Sequence, residues 1–436
     1  MIKRLAIVGF FTGFAHLSNI FILKYLSTNI SNNTISVIGE IDSLVILIVS
    51  IISFGIQLSA TRKIALMDNW KKEYYDTQSA RLTLCLFLVI FSLSGFLITK
   101  NFLFLFSPIF ALNGDYALYG RGKPEMGAFV SSIRVIIPVT TLFIASMYMR
   151  EQLIIIYVVS IIISYFIAGI IVSRSLRVSY FIKPKLKSLK KYWLHFGLGI
   201  ASVLFLFIGI SLVNVISLFY ASSTIAVIYI ILKFYMIFKG VRQIIVQSFY
   251  KELTQFKVAL KVDQMATIGG LVLFVSLGFF LNVIAPVFFS KDFSSYQSTF
   301  FIVGLAGFIS SFTTSTGARL LLADKDREYS RNIILAAGST ILASVLFYFI
   351  FGNQLYLIAL SILFGELLLS FLNVVAINEK KFLLNRFKSI SSFLLISALF
   401  ILVNFLIDSS KLIYIIFLVV MGILALIKNK NKLNVI

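Results

Sequence analysis

Apolar runs of about 17 to 25 residues recur along nearly the whole chain, parted by short polar gaps. A run near 20 residues crosses the hydrocarbon core as an α-helix, whereas a barrel strand needs only about 10. The pattern therefore predicts fourteen membrane-spanning helices. The first six are Leu5–Tyr25, Ile35–Gln57, Leu82–Thr99, Phe102–Tyr119, Gly127–Tyr148 and Leu153–Ser173. Six more follow at Trp193–Phe219, Ser222–Phe238, Ala266–Phe289, Thr299–Leu321, Asn332–Phe351 and Gln354–Ile377. Two close the chain, Ser389–Ile407 and Leu412–Ile427. The fold class is an all-α polytopic membrane protein. The first run is too long for the core of a signal peptide and reads as a retained helix.

Charge orients these helices. Of the 39 Lys and Arg, 32 fall in the termini and alternate gaps, five in the other gaps (Lys24, Lys100, Arg150, Lys291 and Lys411) and two, Arg134 and Lys233, inside spans. Basic short loops stay in the cytoplasm, so both termini are expected there, in a bacterial inner membrane. The opposite loops are short and carry no inserted domain. With 59% hydrophobic residues, 13% charged and a mean hydropathy of +1.00, the chain could not wet a soluble surface; ordinary domains are about a quarter charged. The net charge of +22 would suit nucleic acid, but its segregation into alternate gaps fits a face apposed to anionic lipid instead. The single cysteine, Cys85, excludes an intrachain disulfide.

Six spans lie on each side of the basic segment 174–192, which carries Pro184 and reads as a linker on the membrane surface. The expected organisation is an N-terminal lobe over 1–173, that linker, a second lobe over 193–388, and two further helices with a basic tail over 389–436. Six is even, so both lobes enter the membrane in the same sense, the parallel-repeat arrangement. The fourth-to-fifth junction, ALNGDYALYGRGKPEMGAFVSSIRVI, and the tenth-to-eleventh, SFTTSTGARLLLADKDREYSRNIILAAGST, share a pattern. Each passes from a polar helix end through a charged turn into a small-residue helix.

Six plus six spans, two appended helices, short outer loops and a basic mid-chain linker resemble the MOP exporter superfamily. The stretch Asn113 to Lys123, N-G-D-Y-x-L-x-G-x-G-K, resembles the fourth-span motif of its polysaccharide flippases, the Wzx-type O-antigen and capsule-repeat translocases. That resemblance implies two six-helix lobes around a cavity and alternating access for an undecaprenyl-diphosphate-linked sugar. It also implies partners downstream, a polysaccharide polymerase and a chain-length regulator. The arginine triad that a lipid II flippase would imply is not found.

Charges inside spans face a cavity or a partner by default. Arg134 and Lys233 are the candidates to hold a diphosphate, with Lys24 near the outer mouth as a third cation or a snorkelling residue. Asp115, Glu366, Glu40 and Asp42 would neutralise these cations or take up a coupling H⁺ or Na⁺; Glu366 has no base near it in sequence. Glu40 and Asp42 lie about 200° apart on a helix and cannot share one cavity. His16 is a further titratable candidate. Asn19, Asn113, Tyr116, Asn214, Tyr229, Tyr235 and Asn373 could hydrogen-bond or stack on sugar, or bridge helices. Pro108, Pro138 and Pro286 fall within spans as kink points.

No Walker A run, dinucleotide fingerprint, metal-ligand spacing or nucleophile motif occurs, and no cofactor or metal is implied. The expected function is a non-enzymatic flippase for a lipid-linked oligosaccharide repeat unit. A small-molecule antiporter of the same superfamily is the alternative. A membrane polysaccharide polymerase or ligase, from a different class, would need the large arginine-bearing outer loop that is missing here.

Overall fold

The apolar runs fold as helices in the computed structural model, which describes residues 2–99, 102–288, 293–378, 381–407 and 410–433. Lys100, Lys291 and Lys380, counted above, lie outside the described residues. Among those described there is no strand. The chain divides by packing into two units, Met1–Ile230 and Ile231–Ile436.

The first unit contains α1 (Ile2–Asn29), α2 (Asn32–Ser53), α3 (Ile56–Leu66), α4 (Trp70–Thr99), α5 (Ser107–Leu112) and α6 (Tyr116–Gly120). It continues with α7 (Pro124–Tyr148), α8 (Leu153–Leu176), α9 (Lys190–Leu194), α10 (Phe196–Leu204) and α11 (Val213–Ile216). The dividing point falls inside α12 (Ser222–Ser248). The second unit continues with α13 (Phe256–Phe279), α14 (Leu281–Phe288), α15 (Gln297–Ser311) and α16 (Thr316–Leu322). It ends with α17 (Asp326–Phe351), α18 (Leu355–Ile377), α19 (Phe382–Leu406) and α20 (Ser410–Leu433).

Among the described residues ten helical segments are long and apolar enough to cross a membrane, α15 with α16 counting as one. The bent pair Phe196–Phe207 and Ile210–Ile216, at 77°, makes an eleventh if it is one span. The other three expected spans depart for separate reasons. The third continues a polar helix, because α4 starts at Trp70 and uses its first turns to bury Tyr74, Thr77 and Gln78. The fourth is broken into a 3₁₀ turn, α5 and α6. The last is α20, apolar over Ser410–Ala425. Pro138 and Pro286 lie inside α7 and α14, while Pro108 opens α5 in its first turn, where its missing N–H costs nothing.

In the first unit α7 packs on α1 and α8, and α5 on α4 and α8. Its core joins Ala60, Ile64, Tyr74, Tyr116, Val130 and Val172. In the second unit α13 packs on α15 and α19, and α18 on α15 and α17. Phe280, Phe393 and Phe417 knit α19 and α20 onto that core.

The two junctions singled out in the sequence share one local design. Lys123, after α6, donates through Nζ to the Ser175 carbonyl at 2.9 Å, in the last turn of α8. Lys325, after α16, donates to the Ala376 carbonyl at 3.0 Å, in the last turn of α18. The turns beneath them match: Lys123 N bonds Leu118 O, and Lys325 N bonds Leu320 O.

Candidate functional site

The fourth span breaks where the sequence favours it. Asn113 takes an extended conformation and Gly114 follows, two poor helix formers in succession. A helix end inside a membrane leaves carbonyls that hydrocarbon cannot solvate, and α4 supplies the donors. Gln78 Nε2 donates to Ala111 O and Leu112 O, both at 3.2 Å. Arg81 donates to Asn113 O at 2.8 Å and Phe110 O at 3.4 Å, and to Gln78 Oε1 at 2.6 Å. Arg81 is 1% exposed, stands 5.7 Å from the Tyr116 ring, and makes no ion pair among the described residues. The negative end of α5 is its counter-charge. Gly114 is required because Tyr74 passes so close that a Cβ would sit 2.7 Å from its ring.

Below the break, Asp115 starts α6 and accepts from Arg134 Nη2 of α7 at 2.7 Å. The guanidinium also lies 5.3 Å from the Tyr165 ring. Arg134, a diphosphate candidate from sequence, is therefore neutralised by Asp115, another of the candidates. On α2, Glu40 turns outward and accepts from Ser36 at 3.3 Å, while Asp42 turns inward. Tyr157 of α8 and Tyr229 each donate to one Asp42 oxygen at 2.5 Å. Gly39 admits the Tyr229 ring, which would lie 2.9 Å from a Cβ there.

In the second unit α12 presents Tyr235, Lys239 and Arg242 along one face, since steps of four and three residues stay within about 60° on a helix. Lys239, 8% exposed, pairs with Glu366 of α18, 2% exposed, at 2.8 Å. Tyr235 donates to the same carboxylate. Arg242 donates to the Ser310 hydroxyl and lies 5.6 Å from the Phe238 ring. Its Nε is buried without an acceptor. Glu366 thus meets a base that its sequence neighbourhood does not contain.

A second buried pair sits at the break of the tenth span. Thr313, Thr314 and Thr316 turn their hydroxyls back onto the carbonyls of Ser310, Ser311 and Thr313, which competes with the helix where α15 ends. Asp263 of α13 accepts there from Ser315 N at 2.6 Å and Ser315 Oγ at 2.8 Å. Arg386 of α19 pairs with it at 2.5 Å, and Thr267 donates to Ser311 O at 3.3 Å.

The remaining candidates are scattered. His16, Asn19 and Lys24 lie half-buried on α1, and Lys233 is half-buried on α12. Asn113 and Tyr116 are buried at the fourth-span break, and Asn113 Oδ1 has no hydrogen-bond partner among the described residues. Asn214 lies on α11, its buried Nδ2 without a hydrogen-bond partner among the described residues. Asn373 accepts from Asn332 at 3.1 Å. The structure joins Asp115 to Arg134, Asp42 to Tyr229 and Glu366 to Tyr235. Sequence reasoning missed Arg81, Lys239, Arg242, Asp263 and Arg386. The four basic ones fall among the 32 assigned to the termini and alternate gaps; Arg81, Lys239 and Arg386 are instead buried in helices. The available signal was Tyr235, Lys239 and Arg242 at helical spacing.

No protein-family model matches the sequence, and no curated protein sequence matches it. Among solved structures the chain resembles the lipid II flippase MurJ in an inward closed conformation. The TM-score is 0.64 at 16% identity, over 99% of this chain and 99% of that one. It resembles an outward-facing multidrug resistance MATE family transporter of the MOP superfamily with TM-score 0.58 and 14% identity, over 89% and 95% of the two chains. An inward-facing structure of the same description gives 0.55 and 13%, over 89% and 98%. The likeness is one of fold: the chain has the polytopic helical architecture of the MATE and MurJ structures.

Proposed function

We propose that this protein is a flippase carrying an undecaprenyl-diphosphate-linked oligosaccharide repeat unit from the cytoplasmic to the outer leaflet, for surface polysaccharide assembly. One observation carries the reading: the face of α12 holds two cations, Lys239 and Arg242, against one carboxylate, Glu366. Lys239 is neutralised, whereas Arg242 meets a hydroxyl and a ring and forms no ion pair among the described residues. Arg242 is half-buried and its Nε is enclosed without an acceptor, so the site favours an anion that completes it. A diphosphate does so with several acceptor oxygens, bidentate on arginine. The lipid tail stays in the bilayer meanwhile. Lys233 and Lys24 remain candidate cations for the diphosphate in this reading, as does Arg134 once released from Asp115, and the asparagines and tyrosines named above serve the sugars.

The basic loops and both termini face the cytoplasm in this proposal. The fold likeness to a lipid II flippase supports a lipid-borne cargo, and the motif Asn113–Lys123 supports the repeat-unit branch. A polymerase and a chain-length regulator would receive the product. A second reading, export of small organic cations, is favoured by Asp42, a carboxylate held between two phenols.

The test is reconstitution with a fluorescent undecaprenyl-diphosphate sugar whose exposed fraction is read by a membrane-impermeant quencher. Transport is expected, slowed at least about tenfold in Arg242→Ala, a loss of about 1.4 kcal/mol. Unchanged transport in that variant removes the site, and cation efflux without lipid movement selects the second reading.

A further inference from the structure

We propose that the segment 177–196 of the first unit is a docking surface for anionic phospholipid headgroups of the leaflet it lies against. It is a surface fitted to that lipid, separate from whatever cargo the protein moves.

The segment leaves the end of α8 and runs along α4. Four residues of α4, spaced by one turn, hold it by its backbone. Lys71 Nζ donates to Arg177 O at 3.3 Å, and Ser179 N donates to the Tyr75 hydroxyl at 3.0 Å. Ser79 donates to Lys183 O at 2.9 Å, and Lys185 N donates to Thr83 Oγ1 at 3.0 Å. At its far end Lys191 pairs with Glu73 at 2.8 Å, and Tyr192 donates to Ile52 O at 2.5 Å. Because these contacts are mostly to main chain, the strap is fixed whatever most of its side chains are.

Those side chains divide by face. Val178 and Ile182 pack on the core of the unit, and Tyr180 lies against Gly169 and Phe166. The alternating positions point away, as an extended chain requires: Phe181 is 79% exposed and Lys183 is exposed beside it. Leu186, Trp193 and Leu194 are exposed as well, interleaved with Lys185, Lys187 and Lys190. Among the described residues none of the side chains of Lys183, Lys185, Lys187 and Lys190 forms an ion pair. Water alone would not favour four bulky apolar side chains there, and a hydrocarbon interior would not favour four lysines. The boundary between them accommodates both: aromatic rings at headgroup level, ammonium groups on phosphates. Each lysine near an anionic surface multiplies local lipid occupancy severalfold. Anionic rather than zwitterionic lipid is specified because the segment carries no carboxylate of its own, and Glu73, which meets it from α4, is already taken by Lys191.

The experiment uses the full chain in a Trp70→Phe background, which leaves Trp193 the only tryptophan. The protein is placed in vesicles of phosphatidylcholine with a minor fraction of phosphatidylglycerol, brominated acyl chains being carried by one lipid or the other at equal mole fraction. Trp193 emission is expected to be quenched about twofold or more strongly by brominated phosphatidylglycerol. The combined variant Lys183→Gln, Lys185→Gln, Lys187→Gln, Lys190→Gln should make the two lipids equivalent. Equal quenching in the parent, quenching by neither lipid, or a preference that survives the four substitutions overturns the proposal. None of these readings depends on transport.

Discussion

The Arg81 guanidinium donates to the carbonyl of Asn113 at 2.8 Å and so sets a full positive charge where the fourth membrane segment stops being a helix. Replacing it tests how much that closure matters. Arg81→Leu strands the Asn113 and Phe110 carbonyls and the Gln78 Oε1 in a buried site, at about 1–3 kcal/mol for each group left unpaired. Thermal unfolding in detergent should fall accordingly, with Arg81→Lys intermediate. A melting curve unchanged in Arg81→Leu would show that the carbonyls find other donors.

Two glycines of the same motif should respond for different reasons. Gly114→Ala drives a Cβ to 2.7 Å from the buried Tyr74 ring, an overpacking cost of about 1–3 kcal/mol. Gly122 has φ +68 and open space around it, so Gly122→Ala costs only the backbone strain of about 1 kcal/mol, and Gly122→Asn less. Unfolding midpoints in the order Gly122→Asn, Gly122→Ala, Gly114→Ala, from highest to lowest, are expected.

The Asp263–Arg386 pair should show the asymmetry of buried ions. Asp263→Ala leaves Arg386 charged and enclosed, at about 3–5 kcal/mol. Asp263→Leu with Arg386→Met removes both charges. It should recover most of that loss, short of the roughly 1–3 kcal/mol for the Ser315 N–H left without an acceptor. A double-mutant cycle on chemical unfolding measures the coupling; additive losses would show that the pair does not act as one.

Stability and transport should separate at Glu366. Lys239→Met with Glu366→Leu exchanges a buried pair for apolar packing and should cost no more than the roughly 1–3 kcal/mol of the Tyr235 hydroxyl left without its acceptor. Arg242 then remains as the cation of that face. Transport of the diphosphate lipid should fall about tenfold, and adding Arg242→Gln should abolish it. Full transport in the triple variant would place the anion elsewhere.

The sequence carried the helices well because bilayer thickness fixes their length, and averaging over a run hides little at that scale. It hid the breaks at Asn113–Gly114 and Thr313–Ser315 for the same reason, since a few polar residues barely shift such an average. The charged site was legible in part. Arg134, Asp115, Asp42 and Glu366 stood out as charges within spans, but their partners follow from tertiary packing. Arg81 and Lys239 abut the expected span limits at Leu82 and Phe238, where charge is ordinarily solvated. Continuation of α4 and α12 past those limits buries them instead.

The interrupted fourth segment has a consequence for how the chain is made. With six residues, α5 rises only about 9 Å, far short of a bilayer core of about 30 Å. Its carbonyl partners, Gln78 and Arg81, lie upstream on α4 and leave the ribosome before it; Asp263 and Thr267 likewise precede the interruption at Phe312–Ser315. Each incomplete helix therefore emerges beside a finished one that already holds its hydrogen-bond partners, donors for the first and both a donor and an acceptor for the second, and synthesis order spares the nascent protein from exposing bare peptide groups to oil.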